Sequence, residues 1–203
     1  DDIKKLKGGK NSSRLRDLFN EEYKTVINYK PPKGYNFNKK GVVLPPNLMQ
    51  KLTVNRIKEF KRYGNWSGTG AGKTLSFIIA SREVDARLTV VICLNATVNQ
   101  LKEEIIGVYP DSLVFDYMNS GQFFDRTKHN FLLLNYEKFQ QGYSEEMFQD
   151  LNNNNLVDFI VIDEVHNAKQ RSKEESLRRG VMMMFIKTDG NILILINIHI
   201  FLI

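Results

Sequence analysis

The run Ser67-Gly68-Thr69-Gly70-Ala71-Gly72-Lys73-Thr74 constrains what this chain folds into more than any other feature. Its alternating glycines free the backbone for left-handed turns, and the residues that follow, Leu75-Ser76-Phe77-Ile78-Ile79-Ala80, suit a helix. A glycine-rich turn that opens a helix aims several backbone N–H groups at one point, where the helix dipole strengthens their attraction for phosphate oxygens. In such a loop Lys73 reaches the β and γ phosphates of a nucleoside triphosphate, and the Thr74 hydroxyl ligates Mg²⁺. Ser67 stands where the full phosphate-loop pattern has a further glycine. The spacing, with the Lys-Thr pair, separates the run from the dinucleotide fingerprint. The plain alternative is a flexible Gly/Ser loop ahead of a core helix.

The rest of the chain alternates short apolar runs with helical patterns. Leu52, Val54, Ile57 and Phe60 recur at near-helical spacing and predict a helix between Leu48 and Tyr63. Residues 74–84, 97–106 and Glu145–Leu151 also read as helices. Leu88–Leu94, Leu113–Phe115, Phe131–Leu134 and Leu156–Ile162 read as strands that are apolar throughout, the kind buried on both faces of a parallel sheet. The class is therefore α/β, a mainly parallel sheet flanked by helices. The strand needed ahead of the loop, Arg62–Trp66, is poorly apolar, and Trp66 is expected to pack. With 203 residues, 42% of them hydrophobic and 26% charged, the chain can bury a core, which excludes a disordered or collagen-like protein. Cys93 is the single cysteine, so no internal disulfide forms, and a reducing, cytoplasmic setting is expected.

Charge is distributed unevenly. Residues 1–40 carry eleven Lys/Arg and five Asp/Glu, a difference of +6 that accounts for the whole net charge of +6. Residues 1–40 are thus expected to be a basic N-terminal extension and residues 41–203 the folded domain, with Pro31-Pro32 and Pro45-Pro46 punctuating the entry. A basic arm attracts nucleic-acid phosphates; the alternative is a solvated leader. The N-terminus has no apolar signal segment, and without an initiator Met the chain is expected to be a fragment. The apolar tail 192–203 is too short for a bilayer span of about 20 residues, so no membrane is expected.

A second chemical motif follows the last of the four strands, at Asp163-Glu164-Val165-His166. A buried strand delivers two adjacent carboxylates at its carboxyl end, where α/β sheets bind ligands. Asp163 can hold Mg²⁺ through water, while Glu164 orients and deprotonates an attacking water. Taken alone, an Asp-Glu pair after a strand also serves as a helix N-terminal signal.

Together the two motifs make the chain resemble the first RecA-like domain of superfamily 2 helicases and translocases, the DEAD/DEAH-box-like group, over roughly residues 48–170. The resemblance implies a RecA-like P-loop domain in an ATP-driven, Mg²⁺-dependent motor acting on nucleic acid, with DNA favoured over RNA. It places Ser67, Gly68, Thr69, Gly70, Ala71, Gly72, Lys73 and Thr74 on the nucleotide, Thr74 and Asp163 on the metal, and Lys73 and Glu164 in catalysis. Gln50 stands where many members read adenine, and His166 where the box couples nucleotide to nucleic acid. Asn95-Ala96-Thr97 and Asn135–Phe139 resemble segments that touch the nucleic-acid backbone. The Ser-Ala-Thr triplet that the family has after its next strand is missing from the candidate strand 191–203. The second RecA-like domain, which in the family brings an arginine finger, is likewise expected to be missing from this chain. The other readings of the two motifs are a phosphate-loop ATPase or kinase of another class, and an inactive nucleotide-binding fragment.

Overall fold

A computed structural model of the protein describes residues 10–68, 70–116, 125–136, 151, 156–164 and 191–195. Helix α1 (Lys10–Val26) precedes a small hairpin of β1 (Asn38–Lys39) and β2 (Val42–Val43). Then come α2 (Leu48–Phe60), β3 (Arg62–Asn65), α3 (Lys73–Glu83), β4 (Leu88–Cys93), a 3-10 turn at Asn95–Thr97 and α4 (Val98–Val108). Strands β5 (Leu113–Asp116), β6 (Asn130–Asn135), β7 (Phe159–Ile162) and β8 (Asn191–Leu195) complete the described elements. The helix expected at Glu145–Leu151 lies, apart from Leu151, outside the described residues.

Six strands form one parallel sheet in the order β3-β8-β7-β4-β6-β5. The α/β expectation holds, because the apolar runs are buried on both sides. Every residue of β4 and β7 is buried. Val91 and Cys93 of β4, Phe131 and Leu133 of β6, and Phe159 and Val161 of β7 join the core under α2, α3 and α4. Their neighbours Val90, Ile92, Leu132, Leu134, Ile160 and Ile162 fill a second apolar cluster with Leu151 and Leu156. Successive side chains of a strand point to opposite faces, so these two clusters are the two sides of the sheet.

Local chemistry sets the element ends. Asn47 opens α2 with a capping box: its side chain accepts from the Gln50 amide at 2.9 Å, and Gln50 Oε1 accepts from the Asn47 amide at 2.8 Å. Helix α2 stops at Phe60, short of the expected Tyr63, because Lys61 turns left-handed (φ 58) and sends Tyr63 into β3. The poorly apolar segment before the loop is a strand nonetheless, at the margin of the described strands, where β8 supplies its ladder. Trp66 is not packed as expected; it is 62% exposed. Strand β7 begins at Phe159, later than the expected Leu156, because the Asp158 carboxylate accepts from the amides of Arg87 (2.8 Å) and Leu88 (3.0 Å) at the amino end of β4. On the extension side of the boundary drawn from charge, Tyr29, Tyr35 and Phe37 pack on the core, and Arg56 of α2 pairs with Glu22 of α1. Among the described residues, no helix is long and apolar enough to cross a membrane.

Ile160 is fully buried at the centre of β7. Ile160→Ala should cost about 2–5 kcal/mol through lost transfer energy and the cavity left behind. A urea titration should show a lower midpoint with an unchanged slope.

Candidate active site

All six strands run the same way, so their carboxyl ends share one edge, and the chemical motifs collect there. Asn65, the buried last residue of β3, anchors the glycine-rich loop. Its Oδ1 accepts from the Ser67 amide (3.0 Å) and the Ser67 hydroxyl (2.7 Å), while its Nδ2 donates to Thr53 Oγ1 at 3.2 Å. This explains serine at 67: the position is not left-handed, and its hydroxyl has a partner. Gly70 (φ 78) and Gly72 (φ 79) do take the left-handed conformation, which a side chain disfavours. At Gly72 a Cβ would also lie 2.4 Å from Gln50 Nε2. Thr69 lies outside the described residues.

Gly72 caps α3, and Lys73 and Thr74 are its first residues. Lys73 is buried and donates to the carbonyls of Ser67 (2.7 Å) and Gly68 (2.9 Å). Burial pulls its ammonium below the ordinary lysine range, opposed by the charges of Glu164 and Asp163. Gln50 lies beside the loop, donating from Nε2 to the Gly72 carbonyl at 3.2 Å.

The acidic pair follows β7. The Asp163 amide donates to the Ile92 carbonyl at 2.8 Å, and the buried Tyr136 hydroxyl donates to the Asp163 carbonyl at 2.6 Å. Glu164 is left-handed, with φ 52. Burial first, and the neighbouring Glu164 charge second, push the Asp163 carboxyl up to about 6. Lys73, Thr74, Asp163 and Glu164 line one cleft of about 450 Å³, together with Gln50, Gly70 and Gly72. Phe37, Leu75 and Glu104 line it as well. These three also border an apolar recess of about 250 Å³ that continues to Ile78, Gly107 and Val108.

The structure thus brings Gln50, Gly70, Gly72, Lys73, Thr74, Asp163 and Glu164 to one cleft, whereas His166 lies outside the described residues. Asn95 and Asn135 meet at the same sheet edge, where Asn135 Nδ2 donates to Asn95 Oδ1 at 2.8 Å. Four residues of the site were not legible as such. Phe37 precedes a hairpin far from either motif, Glu104 reads as one of several polar residues on α4, Asn65 as a turn former, and Tyr136 as ordinary core.

The parallel α/β sheet thus brings a glycine-rich loop and an acidic pair to one cleft. The family described as "Type III restriction enzyme, res subunit" matches residues 44–190, and the chain belongs to it. No curated protein sequence matches the chain. Among solved structures it is similar to the Sulfolobus solfataricus SWI2/SNF2 ATPase core, described in complex with dsDNA, with a TM-score of 0.55 and 16% identity over 83% of this chain and 34% of that one. It is also similar to the UvsW helicase of bacteriophage T4, with a TM-score of 0.53 and 13% identity over 88% of this chain and 59% of that one. At these identities the likeness is one of fold, and it covers only part of either protein.

The Asp163 carboxyl rises to about 6 from an ordinary 3.8, so the folded state holds its proton more tightly than the unfolded chain does. Stability is therefore lost as pH rises between those values, by up to about 3 kcal/mol above them. Asp163→Asn removes this cost. Thermal melting should show the variant more stable than the native protein near pH 8, with the gap closing as pH falls toward about 4.

Proposed function

We propose that this domain binds ATP with Mg²⁺ and drives a nucleic-acid helicase or translocase, hydrolysing ATP when a second RecA-like domain closes onto the cleft. One observation carries the reading: Lys73, Thr74, Asp163 and Glu164 face the same cleft across the carboxyl edge of a parallel sheet. Lys73 already holds two backbone oxygens, and in this reading it exchanges them for β and γ phosphate oxygens. Gly70 and Gly72 let the loop backbone approach the phosphates without side chains in the way. Ser67, Gly68, Thr69 and Ala71 complete the cradle. Thr74 and Asp163 offer a hydroxyl and a carboxylate, the hard oxygen donors that suit Mg²⁺. The ion, when bound, neutralises phosphate charge. Glu164 orients the attacking water and takes its proton.

The apolar side of the cleft, over Phe37 and Leu75, suits the base. Gln50 would have to release the Gly72 carbonyl to read it. His166 is assigned the coupling of nucleotide to nucleic acid. The paired Asn95 and Asn135 lie at the same edge, in the segments assigned to the nucleic-acid backbone. DNA is the favoured polynucleotide, in line with the dsDNA named for one structural neighbour. The division into a basic extension, 1–40, and a motor domain, 41–203, belongs to the same reading. So does the second domain: the chain spans 34% and 59% of the two neighbours' lengths. Such a domain brings the arginine finger, a contribution worth about 10³–10⁵ in rate. The isolated chain is accordingly assigned slow turnover.

Lys73→Ala removes a charge-assisted contact worth about 1.5–3 kcal/mol, so ATP affinity should fall roughly tenfold or more. Glu164→Gln should leave that affinity in place and abolish turnover once the second domain is supplied. Calorimetric titration and phosphate release check the two halves, and an unchanged titration for Lys73→Ala would remove the lysine from the site.

Polynucleotide binding should be sequence-independent and weaken with salt, since log K falls with log[salt] in proportion to the phosphates neutralised. Replacing Lys4, Lys5, Lys7 and Lys10 by alanine, which leaves the packed Tyr29, Tyr35 and Phe37 in place, should flatten that slope in a fluorescence titration. An equal slope in the substituted chain removes these four lysines from the polynucleotide contact.

A further inference from the structure

Tyr136 stands at the turn where β6 ends, and the phosphate chemistry assigned above makes no use of it. It is almost wholly buried, and its two ends are tied to different strands. Its amide donates to the Cys93 carbonyl at the end of β4 (3.1 Å), and its hydroxyl donates to the Asp163 carbonyl just past β7 (2.6 Å).

That carbonyl belongs to the peptide joining Asp163 to Glu164, where the backbone changes hand. Asp163 follows a regular strand, and Glu164 takes φ 52, a left-handed conformation that a non-glycine residue adopts only when its surroundings impose it. On the near side of Asp163, its amide is held by the Ile92 carbonyl. On the far side, the phenol holds the carbonyl, so β4 and β6 together fix both peptide planes around Asp163. The Glu164 amide in turn donates to the Asp163 carboxylate, which ties the direction of that side chain to the same turn. A buried phenol with a short hydrogen bond sets a peptide plane firmly, because rotating the plane leaves both the hydroxyl and the carbonyl desolvated and unpaired.

We propose that Tyr136 is a positioning residue for the acidic pair: its hydroxyl locks the Asp163–Glu164 peptide in the left-handed turn that aims both carboxylates into the cleft. The inference rests on the assignment of Asp163 and Glu164 to metal holding and water activation. Asn135, adjacent in sequence, bonds Asn95 at the exposed sheet edge.

The test is Tyr136→Phe, which keeps the buried ring and removes only the oxygen. Amide hydrogen exchange is read first, in the whole chain without nucleotide. The Glu164 amide should exchange about tenfold faster, as expected for losing one buried hydrogen bond, while β6 and β4 amides keep their protection. Kinetics are read second, with ATP saturating and the second domain supplied. The turnover rate should fall roughly 10- to 100-fold, the range seen when a supporting contact behind a reacting group is lost, while KM for ATP stays within about twofold. ATP affinity in the absence of Mg²⁺ should not change, since the glycine-rich loop is untouched. An unaltered Glu164 amide overturns the proposal. So does faster exchange spread evenly over β4 and β6, which marks the phenol as core packing. A raised KM with unchanged turnover does the same. Should Glu164→Gln retain full turnover, the role given to the acidic pair fails separately, and the exchange measurement still decides whether the phenol holds the turn.

Discussion

The site depends on a charge balance in a partly dry cleft. Lys73 is buried at the start of α3, and opposite it Asp163 and Glu164 leave β7. Burial disfavours the charged form of Lys73 and that of Asp163, and the opposite charge across the cleft partly restores each. Neither side is comfortable alone. Such an arrangement costs stability, as buried ionic groups often do, and it leaves the lysine resting on two loop carbonyls. Under the proposed function, a polyphosphate would resolve the imbalance by giving the lysine anionic oxygens in place of neutral ones. The same desolvation that weakens the resting protein strengthens each contact to the bound ligand.

The parallel sheet makes that balance possible. Val91 of β4 stands level with Val161 of β7 and Leu133 of β6, so the carboxyl ends of the three strands finish close together. The loop after β3 reaches them from two strand positions away, with β8 seated between β3 and β7. Because the central strands are buried on both faces, their register has little freedom, and the acidic pair inherits that rigidity. Three of the left-handed positions lie where chemistry is assigned, Gly70, Gly72 and Glu164, and of these only Glu164 carries a side chain there.

The sequence by itself determined the class and most of the site. Apolar runs at Leu88–Leu94, Phe131–Leu134 and Leu156–Ile162 read as strands buried on both sides, which β4, β6 and β7 are, although β7 takes up only Phe159–Ile162 of the last run. A glycine-rich loop ending in Lys73-Thr74 announced its chemistry because backbone freedom and helix dipoles are local properties. Element ends were less legible. Lys61 turns left-handed with no glycine to signal it, and Asp158 stops a run of strand-forming residues through bonds to another strand. Segment Arg62–Asn65 is a strand although its residues are poor strand formers, since β8 supplies the ladder.

Only the tertiary structure decided which distant residues complete the cleft. Phe37, Asn65, Glu104 and Tyr136 lie far apart in the chain and carry no shared pattern, yet they reach the loop and the acidic pair. Gln50 shows the division most clearly. Its type suggested base reading, but the fold gives its two amide ends to the α2 cap and to Gly72. The physical reason is range. Periodicity, glycine freedom and dipoles act within a few residues and are written in the local sequence. Hydrogen bonds between the ends of separate strands depend on sheet order and register, which the chain acquires only on folding.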